Sequence, residues 1–180
     1  MSEGHLIHAW SRPPDLGREK FARFARLAER IAEVSGLKLA DATGEVEPFY
    51  TSDLISFNLP GREKLDGTAV EILRQEFAGT WVNPSNPINS YCETEEGAYD
   101  TLVRATLLAF KILFPEAEVE NAATPEMWLA AWKLYRRARR LRPLTARERD
   151  GYLAHVALGG NPDDDPRPGR RPEQYASGAH

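Results

Sequence analysis

One cysteine in 180 residues, Cys92, rules out an internal disulfide framework and fits a reducing compartment, so a cytoplasmic protein is expected. The first residues lack a charged start followed by an apolar core, and no secretory signal is read there. Long apolar runs are missing too. The best, residues 105–114, is about half of what a bilayer-spanning helix needs and is flanked by charge, which argues against a membrane partner. There is no phosphate-cradling glycine loop, serine nucleophile elbow, zinc spacing or dinucleotide fingerprint. No cofactor is implied, and the chain reads as a non-enzymatic binding protein. Histidine is scarce, at four residues. His5 and His8 have a spacing that suits a metal, but no cysteine or further histidine nearby completes a site, so both are assigned to a flexible end.

What is present is organised around residues 91–115, YCETEEGAYDTLVRATLLAFKILFP. Thr94 is a candidate N-cap, Glu95, Glu96 and Asp100 suit the positive end of a helix dipole, and Pro115 stops the run. Tyr99, Leu102, Val103, Thr106, Phe110 and Leu113 recur at helical spacing, and Ala105, Leu108 and Ile112 widen that face. A helix apolar over most of its circumference is a central one.

The other elements are arranged in order around that helix. Residues 1–14 read as an irregular arm, and Asp15 caps a helix over 15–35 that Gly36 ends. Strands are expected at 46–50 and 53–59, before the Pro60-Gly61 turn. Residues 68–77 fit either a helix or the second arm of a hairpin, and the preceding turn favours a strand. Short strands follow at 88–92 and 117–121. Thr124-Pro125-Glu126 opens a helix running to about residue 141, and Thr145 with Glu148 forms a capping box for a helix over 146–158. Residues 159–180, rich in proline and charge, are expected to form a disordered tail. The length allows one good core, so 15–158 reads as a single domain. The fold class expected is α+β, a small mainly antiparallel sheet covered by helices around a long central helix.

The net charge of −4 argues against indiscriminate nucleic-acid binding, but the charge is uneven. Acids gather in 93–100, 116–120 and 163–165, whereas 133–142 is basic. Helical spacing places Lys133, Arg136, Arg137 and Arg140 on one solvent-facing side, with Arg139 and Arg142 beside it. Such a row suits a protein partner. Alternatively it neutralises successive phosphates of a nucleic acid, with Trp132 or Tyr135 adding stacking. Trp81 joins Lys133, Arg136, Arg137 and Arg140 as a partner-binding candidate, and Trp10 and Trp128 are further contact candidates, because large aromatics dominate interface energetics.

A third reading is a small metal-dependent hydrolase using Glu93, Glu96 and Asp100, since hard cations take several carboxylate oxygens. Acids at a helix start equally serve the dipole, so no metal site is assigned. Cys92 precedes a helix N-terminus, where a thiol pKa can fall, but no base is linked to it by spacing and it is read as buried and inert. Asp53, Asn58 and Asp66 flank the hairpin and serve as turn or cleft residues.

Two resemblances attach to particular residues. The L-T-x-x-E opening at 144–148 is similar to the first helix of the helix-turn-helix in LuxR-type regulators, but 161–172 is proline- and aspartate-rich where a recognition helix would follow. Cys92, Thr94, Tyr99 and Asp100 match a C-x-T-x-x-x-x-Y-D segment that leads into a long apolar helix. In this, residues 54–121 resemble uncharacterised small proteins of actinobacterial phages and prophages. Glu93 departs from the lysine common there. The resemblance implies an accessory role in a mobile element and no particular reaction.

Overall fold

A computed structural model of the chain describes residues 5–61, 68–75, 88–95, 97–121 and 123–167. Its architecture is α+β, with four helices and two three-stranded antiparallel sheets among those residues where one sheet was expected. The first sheet has the order β5-β1-β6, built from β1 (His5–Arg12), β5 (Ile88–Glu95) and β6 (Glu118–Asn121). The stretch expected to be an irregular arm is therefore the central strand. Its side chains alternate, with His8, Trp10 and Arg12 buried and Ile7 exposed on the opposite face. Two of the three inward residues are polar, so the buried face is not an apolar row. Arg12 donates locally, from Nη1 to the carbonyls of Pro13 and Pro14 at 2.9 and 3.2 Å.

The second sheet, in the order β2-β3-β4, comprises β2 (Phe49–Tyr50), β3 (Leu54–Phe57) and β4 (Val70–Leu73). Val70 and Ile72 point inward beside Ile55 and Phe57, so the strand reading of 68–77 holds for the four residues of β4. Arg74, just beyond it, bonds both Asp53 at 2.7 Å and Asp15 at 3.2 Å. Asp53 and Asp15 are thus structural links between the hairpin and the segment leading to the first helix.

The helices are α1 (Arg18–Ser35), α2 (Ala98–Leu113), α3 (Pro125–Ala138) and α4 (Ala146–Ala157). Locally coded ends appear as expected. Gly36 is left-handed, Thr124 accepts from the Met127 N–H, and Thr145 with Glu148 closes a capping box. Two N-caps differ. Gly17 rather than Asp15 caps α1, with Asp15 accepting from the Gly17 N–H. α2 is capped by Gly97, not Thr94, which still belongs to β5. Gly97 has φ 153° and ψ −160°, a region essentially reserved for glycine, and this lets a strand turn into a helix almost at once.

α2 is the centre of the core, buried without interruption from Leu102 to Phe110. Phe24 of α1 meets Phe110 and Phe114 at ring distances of 5.2 and 5.9 Å. At its other end Tyr99 lies edge-on to Phe57 and donates to the Thr68 carbonyl at 2.8 Å, joining α2 to the second sheet. No helix among the described residues is long and apolar enough to cross a membrane.

Residues 159–167, assigned from composition to the tail, pack on the helices. The Pro162 carbonyl accepts from Trp132 Nε1 at 3.1 Å and from the Tyr152 hydroxyl at 2.8 Å, and Arg167 pairs with Asp165. Two buried donors need an acceptor, and this carbonyl serves both. Tyr152→Phe should cost about 1 kcal/mol in denaturant unfolding, the net worth of one hydrogen bond whose acceptor keeps a second donor.

Candidate functional site

α3 is packed against α1, α2 and α4, which leaves water only a narrow stripe. Glu126, Lys133, Arg137 and Arg140 lie exposed along it at helical spacing. Arg136, expected on the same side, is rotated off the stripe and is 2% exposed. Trp132 and Tyr135, the proposed stacking residues, are core, as are Trp10 and Trp128. Among the described residues, the exposed large aromatics are Tyr91 and Phe49. Trp81 lies outside the described residues.

The exposed part of the stripe borders a groove of about 530 Å³. Its apolar lining includes Leu134 of α3 with Leu141, Pro143 and Leu144 of the following loop. Ser35 closes one end, and Ala98 and Thr101 bring in the first turn of α2, a helix start with no side-chain cap. Among the described residues, Lys133, Arg136 and Arg137 are its charged lining residues, and all three are positive. Arg137 is oriented by a 2.7 Å bond from Nη2 to the Val34 carbonyl in the last turn of α1. Arg140 is not part of the wall. It occupies a left-handed turn at φ 54° beyond the helix end.

Arg136 is the unusual member. Nη2 donates to the Arg142 carbonyl at 2.7 Å, but Nε and Nη1 are buried with no acceptor among the described residues. The nearby acids are committed elsewhere, Glu148 to Arg142 and Asp165 to Arg167. Burial pushes the Arg136 pKa down, and the Arg167 charge adds to this. An arginine so placed is a charge short of a partner.

The acidic residues divide between two places. Along β5, Cys92 and Thr94 face inward, while Glu93 stands across from the exposed Ile7 of β1. Asp100 turns into the core, where Arg104 grips it with Nη2 at 2.7 and 2.8 Å from its two oxygens. Thr94 Oγ1 lies 2.8 Å from Asp100 Oδ1, and His8 Nε2 lies 2.9 Å from each of these atoms. An ionised carboxylate only accepts, so the threonine proton points to Asp100 and His8 must donate from Nε2. The Arg104 guanidinium in turn lies 5.6 Å from the Trp128 ring centroid.

Burial raises the Asp100 pKa, but hydrogen bonds from His8 and Arg104, the Arg104 charge and the Thr94 bond outweigh it, and the carboxyl is held below its usual range. The metal reading built on Glu93, Glu96 and Asp100 does not fit this geometry. Asp100 is saturated by protein donors, Glu93 lies on the other face, and Glu96 is outside the described residues. No group of three or more metal-ligating side chains occurs among the described residues.

Cys92 is His8's register partner, so a cysteine, a histidine and an aspartate come close together. They do not form a nucleophile. His8 Nδ1 has no hydrogen-bond partner among the described residues, Cys92 is fully buried, and burial followed by the Asp100 charge pushes its thiol up to about 12. The cluster ties β1, β5 and α2 together.

The chain matches no family model, no curated protein and no solved structure.

Proposed function

We infer that this is a non-enzymatic binding protein, an accessory protein of the mobile-element type, whose groove between α1, α2, α3 and residues 141–144 receives a segment of a protein partner. The observation that carries the reading is the pairing of an apolar lining with charges of one sign among the described wall residues. A concave apolar strip takes up side chains, and fixed charges at its border set orientation and specificity. A nucleic acid is a poorer match. Three exposed cations remain on the α3 stripe, and the aromatic residues that would stack on bases are core.

Two sets of substitutions separate the readings. Lys133→Glu with Leu144→Asp changes the groove, whereas Arg140→Glu changes the same helix stripe outside it. A protein recovered on the immobilised chain should lose about tenfold or more in affinity with the groove variant and little with Arg140→Glu. Equal losses, together with nucleic-acid binding that falls steeply with salt, would replace the groove by a phosphate-tracking row.

A further inference from the structure

We propose that the groove recognises a carboxylate-bearing peptide segment, an acidic side chain flanked by apolar residues, and that Arg136 is the residue that reads the acid. This rests on the groove as the binding site. Among the described residues the wall carries Lys133, Arg136 and Arg137 and no carboxylate, so an occupant of opposite sign is the complementary one. Arg136 then singles out the group. A guanidinium presents two planar forks suited to two oxygens, Nε with Nη2 and Nη1 with Nη2. In Arg136, almost fully buried, Nε and Nη1 have no acceptor among the described residues, and Nη2 gives one of its two hydrogens to the Arg142 carbonyl, which leaves the other for one of these forks.

Nε and Nη1 are closed to solvent, so a change in the terminal torsions of this side chain, which already lines the groove, is needed to bring a fork to a guest. Ala98 and Thr101, from the first turn of α2, complete the lining. The lining leucines then account for the apolar neighbours of the acid. A phosphate-bearing polymer has no use for them.

The test is selection of random peptides displayed on phage against the immobilised full chain, repeated with Arg136→Met, Arg136→Lys and the Lys133→Glu/Leu144→Asp groove variant. Wild type should enrich peptides with an aspartate or glutamate beside leucine or phenylalanine. Arg136→Met should keep the apolar preference and lose the acidic one, and Arg136→Lys should keep part of it. A synthetic selected peptide should weaken about tenfold or more on Glu→Gln in the peptide or Arg136→Met in the protein. The melting temperature of Arg136→Met should be unchanged or raised, since an apolar side chain in place of a buried charge is often neutral or stabilising, so lost binding would not reflect lost folding.

Apolar enrichment without acid, or acid enrichment that survives Arg136→Met, overturns the carboxylate proposal and leaves the groove standing. No enrichment, or enrichment indifferent to the groove variant, overturns both. Arg136-dependent binding of a DNA oligonucleotide with no peptide selected assigns the site to phosphate and also overturns it.

Discussion

Removing residues 1–12 should abolish cooperative folding. Among the described residues, β5 and β6 do not pair with each other; each pairs with β1, along eight and four register positions. Without β1 both lose that neighbour, and backbone groups facing the core lose their partners. Each lost backbone bond costs about 1 kcal/mol net, more where a buried group is left unsatisfied. Trp10 adds roughly 3 kcal/mol of apolar burial. Together these losses are comparable to the whole stability of a domain this size, typically about 5–15 kcal/mol. The truncated chain should show no sigmoidal denaturant transition and no protected amides in α2. A dispensable arm would leave both unchanged, and that result would remove β1 from the core.

That strand is also where sequence reasoning stopped short, for a physical reason. Strands are recognised by alternation of apolar with polar residues, and the inward row of β1 contains His8 and Arg12. His8 is at home in the interior only because Thr94 and Asp100, 86 and 92 positions later, supply its partners. No local window contains that information. Thr94 was misleading for the same reason. A threonine ahead of acids has the look of an N-cap, but its hydroxyl is used inside the sheet-to-helix cluster. The ends of α3 and α4 were legible because Thr124-Pro125 and Thr145 with Glu148 are complete within one turn. The central helix was legible because its burial leaves an apolar signature all round.

The basic helix shows the same division within the candidate site. Spacing placed its residues around α3 but not the direction of its neighbours. Three packed helices leave a stripe that includes Lys133, Arg137 and Arg140 and turns Arg136 inward. The groove itself joins Ser35, Ala98, Lys133 and Leu144, residues distributed over more than half the chain, so nothing in one segment announces it. What was legible was charge segregation, and it pointed to the right helix.

Asp100→Ala should lower stability by about 3–5 kcal/mol, the usual cost of removing one member of a buried ion pair. Arg104 would keep its charge in a fully buried position, and His8 and Thr94 would lose a shared acceptor. For a chain of this length that corresponds to a fall in melting temperature of roughly 10 °C. Because the Asp100 pKa is lower in the folded state, its share of stability is complete above the unfolded value of 3.8 and is lost as pH falls through the folded one. Wild type should therefore lose stability on acidification in that window, and Asp100→Asn should show a shallower dependence there. Removing both charges with Asp100→Leu and Arg104→Met should recover much of the loss, because a buried pair and well-packed apolar residues are often close in energy. A double variant as unstable as Asp100→Ala alone would show that the hydrogen bonds of His8 and Thr94, rather than the ion pair, hold β1 against α2. A single Asp100→Ala variant within about 1 kcal/mol of wild type would remove the cluster from the core's stability altogether.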